Sequence, residues 1–180
     1  PGPHADQEAF LFSVTGDAEV KAAATALKRF PSFNASLDPA AGEIIVKHYY
    51  HIGIAVDTPQ GLTVPVLKHA DRMGLRDIAA ELARLSAAAR AGKLTIGELQ
   101  GASFTLSSLG GIGGTGFTPL VSAPQAAILG LSQSVTKPVW DGQAFAPRLI
   151  LPFSVSYDHR IIDGAEAALP DVALDAVAQL

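Results

Sequence analysis

A histidine, an arginine and two aspartates stand close together in one short segment of the chain, residues 158–164 (DHRIIDG). The segment directly follows a nearly all-apolar stretch, 149–157, which is typical of a buried strand. Polar groups at the end of a buried strand are costly unless they are paired, so they commonly serve in binding or catalysis. A neutral imidazole can accept a proton near neutral pH, which makes His159 a candidate general base. Two structural interpretations stand beside this one, because His159 could be a hydrogen-bonded structural histidine and Asp163 has capping-box spacing to Glu166.

A glycine-rich stretch, residues 111–116, matches the G-x-G-x-x-G pattern of dinucleotide-binding loops and follows a predicted strand. That function also needs a helix directly afterwards, whose N-terminus holds the pyrophosphate. Residues 117–124 contain two prolines and cannot form such a helix. We therefore expect a backbone that turns tightly or approaches a ligand closely.

His48 and His51 are close enough in sequence to suggest a metal site. They fall in a stretch, residues 43–57, that is rich in Ile, Val and Tyr and predicts one long strand. Residues three apart on a strand point to opposite faces, so the two imidazoles could not bind one ion. We expect ordinary strand residues, with His48 partly exposed, and no metal.

A serine hydrolase is a secondary alternative, in which His159 would act on Ser107 or another serine together with a carboxylate. The chain contains no G-x-S-x-G nucleophile elbow, which argues against the common form of that site.

Hydrophobic periodicity predicts the elements that must position these residues. The predicted helices are 17–30, Leu75–Arg90 with Gly92 as its C′ glycine, a short turn after Thr95, and a last helix from Ala165 that Pro170 breaks. The predicted strands are the apolar cluster at 10–14, then 43–57, 62–67, 103–108, 126–132, 134–140 and 148–157, with turns at 58–61 and 141–142. Helices combined with mostly adjacent strands predict a single α+β domain with a mixed sheet.

Composition bounds the class of protein. With 180 residues, 48% of them hydrophobic and 17% charged, the chain is an ordinary globular domain. It has no Cys, which excludes disulfides, thiolate metal sites and a cysteine nucleophile. A net charge of −4 without a Lys/Arg-rich run argues against nucleic acid and anionic membranes as partners. No apolar run approaches the ~20 residues of a membrane span and nothing resembles a signal peptide, so we expect a soluble intracellular protein.

From about Ala22 to Ala168 the sequence resembles the catalytic cores of dihydrolipoyl acyltransferases, the E2 components of 2-oxoacid dehydrogenase complexes. The motifs that carry the resemblance are 30–37 (FPSFNASL), 51–62 (HIGIAVDTPQGL), 104–114 (FTLSSLGGIGG) and 158–164 (DHRIIDG). These proteins share the chloramphenicol-acetyltransferase fold, so the resemblance implies an α+β domain with helices packed on a mixed sheet. Residues 113–119 (GGTGFTP) and 137–140 (KPVW) look like the pyruvate-specific branch, which favours acetyl transfer over other acyl groups.

The resemblance also implies roles for three residues. His159 would take the proton from the thiol of coenzyme A or, in the other direction, of dihydrolipoamide. Ser107 would stabilise the tetrahedral oxyanion, and Asp163 would be structural, in an ion pair that holds the histidine loop. The chemistry is sound, because a thiol with a pKa of about 8.5 is mostly protonated at neutral pH and needs a base. Coenzyme A enters as a substrate, a separate domain supplies the lipoyl group, and no residue is assigned to binding either of them.

As partners, the resemblance implies a homotrimer with active sites between subunits, a lipoyl domain and the other components of the complex. The compartment would be the bacterial cytoplasm, or the mitochondrial matrix in a eukaryote. The apolar residues on both faces of 43–57 agree with a subunit interface.

Against the family pattern both ends are short, and we expect neither a lipoyl domain nor a peripheral subunit-binding domain. No Arg in residues 1–15 could pair with Asp163, and 173–180 would be a weak anchor between trimers. We therefore expect an acyltransferase catalytic domain over residues 1–180 that forms trimers without closing into cages. A non-catalytic, E2-like structural subunit is the alternative, and the intact His159, Ser107 and Asp163 favour the enzyme.

Overall fold

A mixed five-stranded sheet lies at the centre of the molecule. The structure, a computed structural model, describes the backbone of residues 4–111 and 113–167 and, within these ranges, the side chains from residue 16 onward. The helices are α1 (His4–Arg29), α2 (Leu75–Arg90) and α3 (Gly164–Ala167), with short 3₁₀ turns at Pro31–Asn34, Ala70–Arg72 and Ile96–Glu98. The strands are β1 (Ala35–Asp38), β2 (Glu43–Val46), β3 (Ile52–Ile54), β4 (Val56–Thr58), β5 (Gly61–Thr63), β6 (Val66–Leu67), β7 (Phe104–Ser108), β8 (Ala127–Leu131), β9 (Val135–Trp140), β10 (Phe145–Ile150) and β11 (Phe153–Tyr157).

The strand order of the central sheet is β11-β8-β7-β3-β6. Strand β7 runs parallel to both of its neighbours, β3 and β8, whereas the two edge strands are antiparallel to theirs. Three antiparallel pairs, β1–β2, β4–β5 and β9–β10, stand beside this sheet. The predicted α+β class with a mixed sheet is confirmed.

The two faces of the central sheet differ in chemistry because side chains alternate along each strand. One face is apolar and packs against α1 and α2 in the core, with buried residues that include Ile54, Leu106 and Leu129. The opposite face carries small and polar residues in adjacent strands, namely Ser103, Thr105, Ser107, Gly130, Ser154 and Ser156. The helices pack on the apolar face, and the candidate site lies on the opposite face, where Ser103 and Thr105 are buried and Ser107 is half-buried.

Helix α2 forms as its sequence predicts. Ile78, Leu82 and Leu85 recur at helical spacing and are buried. The helix ends in a Schellman motif, in which Lys93 N–H donates to the Ala88 carbonyl at 2.9 Å and Gly92 takes a positive φ of 63°. The predicted turn after Thr95 and the hairpin turns at 58–61 and 141–142 are also confirmed.

The N-terminal prediction is wrong, because α1 begins at His4 and includes the residues expected to form a strand. The stretch between His4 and Arg29 contains no proline and no run of β-branched residues, and the helix accommodates its one glycine, Gly16. At the other end of the chain, α3 confirms a helix near Ala165. The expected break at Pro170 and the segment 173–180 lie outside the described residues.

The predicted long strand 43–57 is instead three strands, β2, β3 and β4. The buried Asn34 donates through Nδ2 to the carbonyls of Lys47 (2.8 Å) and Tyr49 (3.0 Å), so these groups are not available to a strand ladder. Prolines explain the other two divided strands. The return strand 62–67 divides at Pro65, and 148–157 divides at Pro152, because proline has no N–H to donate.

Within the described residues, no helix has both the length and the apolar character needed to cross a membrane.

Candidate active site

Ser107 lies near the carboxyl end of β7 on the polar face of the sheet and is half-buried. It pairs in register with Gly130 of β8, which in turn pairs with Ser154 of β11. Backbone hydrogen bonds to β8 fix the position of β7 at Ser107. Leu109 N–H extends this pairing to the Leu131 carbonyl at 2.8 Å. The hydroxyl is thus carried on a rigid element, as an oxyanion donor requires.

The loop that follows Ser107 folds back over the same face. A Cβ placed on Gly130 would lie 2.8 Å from Cζ of Phe117 and 3.0 Å from Oγ of Ser154, so only glycine leaves room for the Phe117 ring. The Ser154 hydroxyl donates to the Phe117 carbonyl, and this hydrogen bond fixes the loop to β11. The Phe117 ring therefore packs on β8, the strand next to the one that carries Ser107. This contact was not predicted, although a glycine inside the buried run 127–131 (AILGL) is a signal of close approach.

The glycine-rich stretch turns tightly, as predicted. Gly113 and Gly114 have positive φ values of 102° and 107°, and Gly113 N–H donates to the Leu109 carbonyl at 3.0 Å. No helix follows in residues 113–126, so the dinucleotide-binding pattern has no helix N-terminus to complete it.

The histidine motif begins with a turn that Asp158 builds. Its carbonyl accepts from the N–H groups of Ile161 (2.9 Å) and Ile162 (3.1 Å), and Ile162 is fully buried below the turn. Its carboxylate binds the Arg160 guanidinium with distances of 2.6 to 3.2 Å. These hydrogen bonds from Arg160 lower the pKa of Asp158. The turn leaves His159 exposed, with its ring centroid 5.6 Å from that of Tyr157.

Asp163 caps α3. Its Oδ1 accepts from Glu166 N–H at 2.8 Å, which confirms one half of the predicted capping box. The Glu166 carboxylate instead accepts from the Ser32 hydroxyl, which ties the end of the histidine motif to the turn before β1. Among the residues that the structure describes, no Lys or Arg is ion-paired with Asp163. The ion pair that the resemblance implies stays a prediction.

Ser107 and His159 lie at opposite ends of the sheet within one chain. Strand β11 runs antiparallel to β8, so the chain moves away from the Ser107 row as it passes from Ser154 to Tyr157. Three residues along β11 and two strand spacings give roughly 14 Å between the Cα atoms of Ser107 and Tyr157. This separation excludes a hydrogen-bonded serine-hydrolase pair of Ser107 and His159 within one chain. The two residues can serve one site only if two chains contribute to it.

The expectation that His48 and His51 are strand residues is wrong, since both fall in the irregular segment between β2 and β3. His48 is exposed. His51 packs edge-to-face against His69, with ring centroids 4.5 Å apart, and its Nδ1 accepts from the His69 N–H at 3.1 Å. Burial lowers the pKa of His51. Within the described ranges, no group of three or more His, Cys, Asp or Glu side chains could hold a metal ion.

We expect Gly130→Ala to lower the free energy of unfolding by about 1 to 3 kcal/mol, because the new methyl group displaces the Phe117 ring or the Ser154 hydroxyl. Urea denaturation measures the change, and the loop should also become more sensitive to proteolysis. Gly97→Ala is the matched control, since a Cβ there meets nothing within 4 Å. Equal stability of the Gly130 and Gly97 variants would contradict the packing of Phe117 on β8.

Comparison with known proteins gives one family. The profile of the 2-oxoacid dehydrogenases acyltransferase (catalytic domain) family matches residues 13–170. The chain is 56% identical over 149 residues to the dihydrolipoyllysine-residue acetyltransferase component of the pyruvate dehydrogenase complex of Cupriavidus necator. That alignment covers 83% of this chain and 27% of the relative, so the chain spans about a quarter of that protein's length.

Solved structures agree with the family match. The Azotobacter vinelandii dihydrolipoamide acetyltransferase is 54% identical, with a TM-score of 0.85 over 90% of this chain and 69% of that one. The cubic core of the pyruvate dehydrogenase multienzyme complex is 55% identical, with a TM-score of 0.86 over 88% of this chain and 66% of that one. Chloramphenicol acetyltransferase, at 14% identity and a TM-score of 0.61 over 89% of this chain and 76% of that one, shares the fold.

The Azotobacter study addressed the role of a serine, a histidine and an asparagine in the catalytic mechanism. In that enzyme the serine and the histidine are separated by the same number of residues as Ser107 and His159, and the asparagine follows the histidine by four residues. This chain has Asp163 at the corresponding spacing.

Proposed function

The chain belongs to the family of 2-oxoacid dehydrogenase acyltransferase catalytic domains, and on that premise we propose that it transfers an acetyl group between dihydrolipoamide and coenzyme A. The observation that carries the proposal is the spacing of Ser107, His159 and Asp163, which matches the three residues investigated in the Azotobacter enzyme. The names of the relatives support acetyl as the transferred group.

In the proposed reaction, His159 accepts the proton of the attacking thiol as its sulfur forms a bond to the thioester carbonyl carbon. The resulting tetrahedral oxyanion receives a hydrogen bond from the Ser107 hydroxyl, which lies on the polar sheet face. Collapse breaks the bond to the original sulfur, and that thiolate leaves with the proton from the His159 imidazolium. No metal and no redox step is needed, because one thioester is exchanged for another.

The geometry of the single chain supports an active site shared between two chains. Ser107 and His159 stand at opposite ends of the sheet, so a neighbouring copy must supply one of them to each site. A closed ring of three copies would give every Ser107 a His159 from the next subunit. Asp163 then acts as a positioning residue, because it caps α3 directly after the histidine turn.

Exposed apolar residues support such an assembly. Ile44, Ile45 and Val46 of β2 are 41 to 50% exposed, whereas Ile52 and Ile54, from the same predicted strand, are buried in the core. The interface predicted for the whole of 43–57 is therefore restricted to its first part. Exposed apolar side chains such as these are available to an association surface. We propose a homotrimer that works with a separate lipoyl domain in the cytoplasm of a bacterium.

The test is a coupled assay that follows acetyl-dihydrolipoamide formed from acetyl-coenzyme A and free dihydrolipoamide. The proposal predicts turnover that saturates in both substrates. A folded, assembled protein without turnover would contradict it and would favour the non-catalytic structural subunit, whose only role is to pack against active chains.

A further inference from the structure

A hydrogen bond between two side chains links β7 to the segment that precedes β8. The hydroxyl of Thr105, a residue that is 3% exposed, donates to Oε1 of the half-buried Gln125 at 2.7 Å. Within the described ranges, this hydroxyl has no other hydrogen-bond partner. A buried hydroxyl that loses its partner is costly, so the pair holds the Gln125 side chain in one place.

Thr105 is a rigid anchor for this contact. It lies two residues before Ser107 on the same face of β7, and it pairs in register with Gly53 of β3 and Ile128 of β8. A Cβ placed on Gly53 would lie 2.9 Å from Thr105 Oγ1, so the hydroxyl is packed closely against β3. Two neighbouring strands therefore fix the position of the donor.

Gln125 lies in an irregular segment that leads to the histidine turn. Residues 117–126 form no helix or strand, and Gln125 N–H closes a turn on the Ser122 carbonyl at 3.0 Å. The next residue, Ala126, is fully buried, and its carbonyl accepts from Asp158 N–H at 2.8 Å. Asp158 is the residue that builds the histidine turn. The anchored side chain of Gln125 and the carbonyl that receives this turn therefore belong to adjacent residues.

We propose that Gln125 is a positioning residue for His159, because it fixes the Ala126 carbonyl and thereby the start of the turn that presents the imidazole. No side chain of the described residues forms a hydrogen bond with the imidazole, whose ring centroid lies 5.6 Å from that of Tyr157. The backbone of the turn therefore sets its orientation. The inference rests on the proposed function, since the orientation matters for rate only if His159 is the base.

Gln125→Leu is expected to lower kcat for acetyl transfer by about 10- to 100-fold with little change in KM, because a displaced base reduces rate and not substrate affinity. Gln125→Glu keeps an acceptor for the Thr105 hydroxyl and should retain most of the activity. Thr105→Val removes the donor with little change of shape and should match Gln125→Leu. The control is Gln100→Leu, an equivalent change at an exposed position, which should behave as wild type does.

Two combinations of variants separate positioning from folding. In a His159→Ala background, Gln125→Leu should lower the residual rate no further, because its effect acts through the imidazole. A merely structural role would lower the rate by the same factor in both backgrounds. The double variant Thr105→Val/Gln125→Leu should be as active as Gln125→Leu alone, because both substitutions remove the same hydrogen bond. All variants are compared well below their Tm.

Amide hydrogen exchange at Asp158 provides a readout that does not depend on turnover. This N–H should exchange about tenfold or more faster in Gln125→Leu than in wild type or Gln100→Leu, because its acceptor is no longer fixed. If exchange responds in this way but wild type transfers no acetyl group, the link between Gln125 and the turn stands and the proposed function fails. Unchanged exchange in Gln125→Leu, an equal loss of kcat in Gln125→Glu, or an undiminished effect in the His159→Ala background would overturn the proposal.

Discussion

His159→Ala is expected to lower kcat for acetyl transfer by about 10²- to 10⁴-fold, the range that a positioned general base contributes. Without the imidazole, no group at the end of the histidine turn takes the proton from the thiol. The substitution should leave the fold intact, because His159 is exposed and the turn is built by Asp158 and anchored by the buried Ile162. Circular dichroism and the coupled assay together measure both effects.

His48→Ala is the matched control, since His48 is also exposed but lies in the segment between β2 and β3. Its kcat should equal that of wild type. Equal turnover in the His159 variant and wild type, with unchanged circular dichroism, would remove His159 from the mechanism.

Ser107→Ala is expected to lower kcat by about 10²- to 10³-fold with little change in KM. The hydroxyl acts only when the oxyanion develops, so its loss weakens the transition state and not the bound substrate. The neighbouring Ser108→Ala is the control, because Ser108 points to the other face of β7 and its Oγ accepts a hydrogen bond from Gly110 N–H. A raised KM at unchanged kcat would assign Ser107 to substrate binding instead.

Local signals in the sequence were sufficient for parts of the fold. The periodicity of Leu75–Arg90 and the position of Gly92 predicted α2 with its cap, and the apolar runs predicted β7 and β8. The prediction of one strand over 43–57 failed because a distant contact decides where β2 ends. Asn34 hydrogen-bonds the carbonyls of Lys47 and Tyr49 and ends β2, and no window within 43–57 contains that information.

The candidate site, like the fold, was predicted only in part from the sequence. The resemblance placed His159, Ser107 and Asp163 in a mechanism, but their relation in space follows from the antiparallel course of β11, which spacing along the chain does not reveal. The contact of Phe117 with Gly130 was missed, although a glycine inside a buried strand indicates that something packs there.

The central claim is that each site combines Ser107 of one copy with His159 of another. Dissociating and reassembling an equal mixture of Ser107→Ala and His159→Ala chains tests it most directly, with light scattering to establish that the mixture has the mass of three chains. Random assembly of a closed ring should restore about a quarter of the wild-type activity, because one site in four then combines an intact serine with an intact histidine. Two results would contradict the shared site. One is a trimeric mixture that is as inactive as its two parent variants, and the other is a wild-type protein that is active as a monomer.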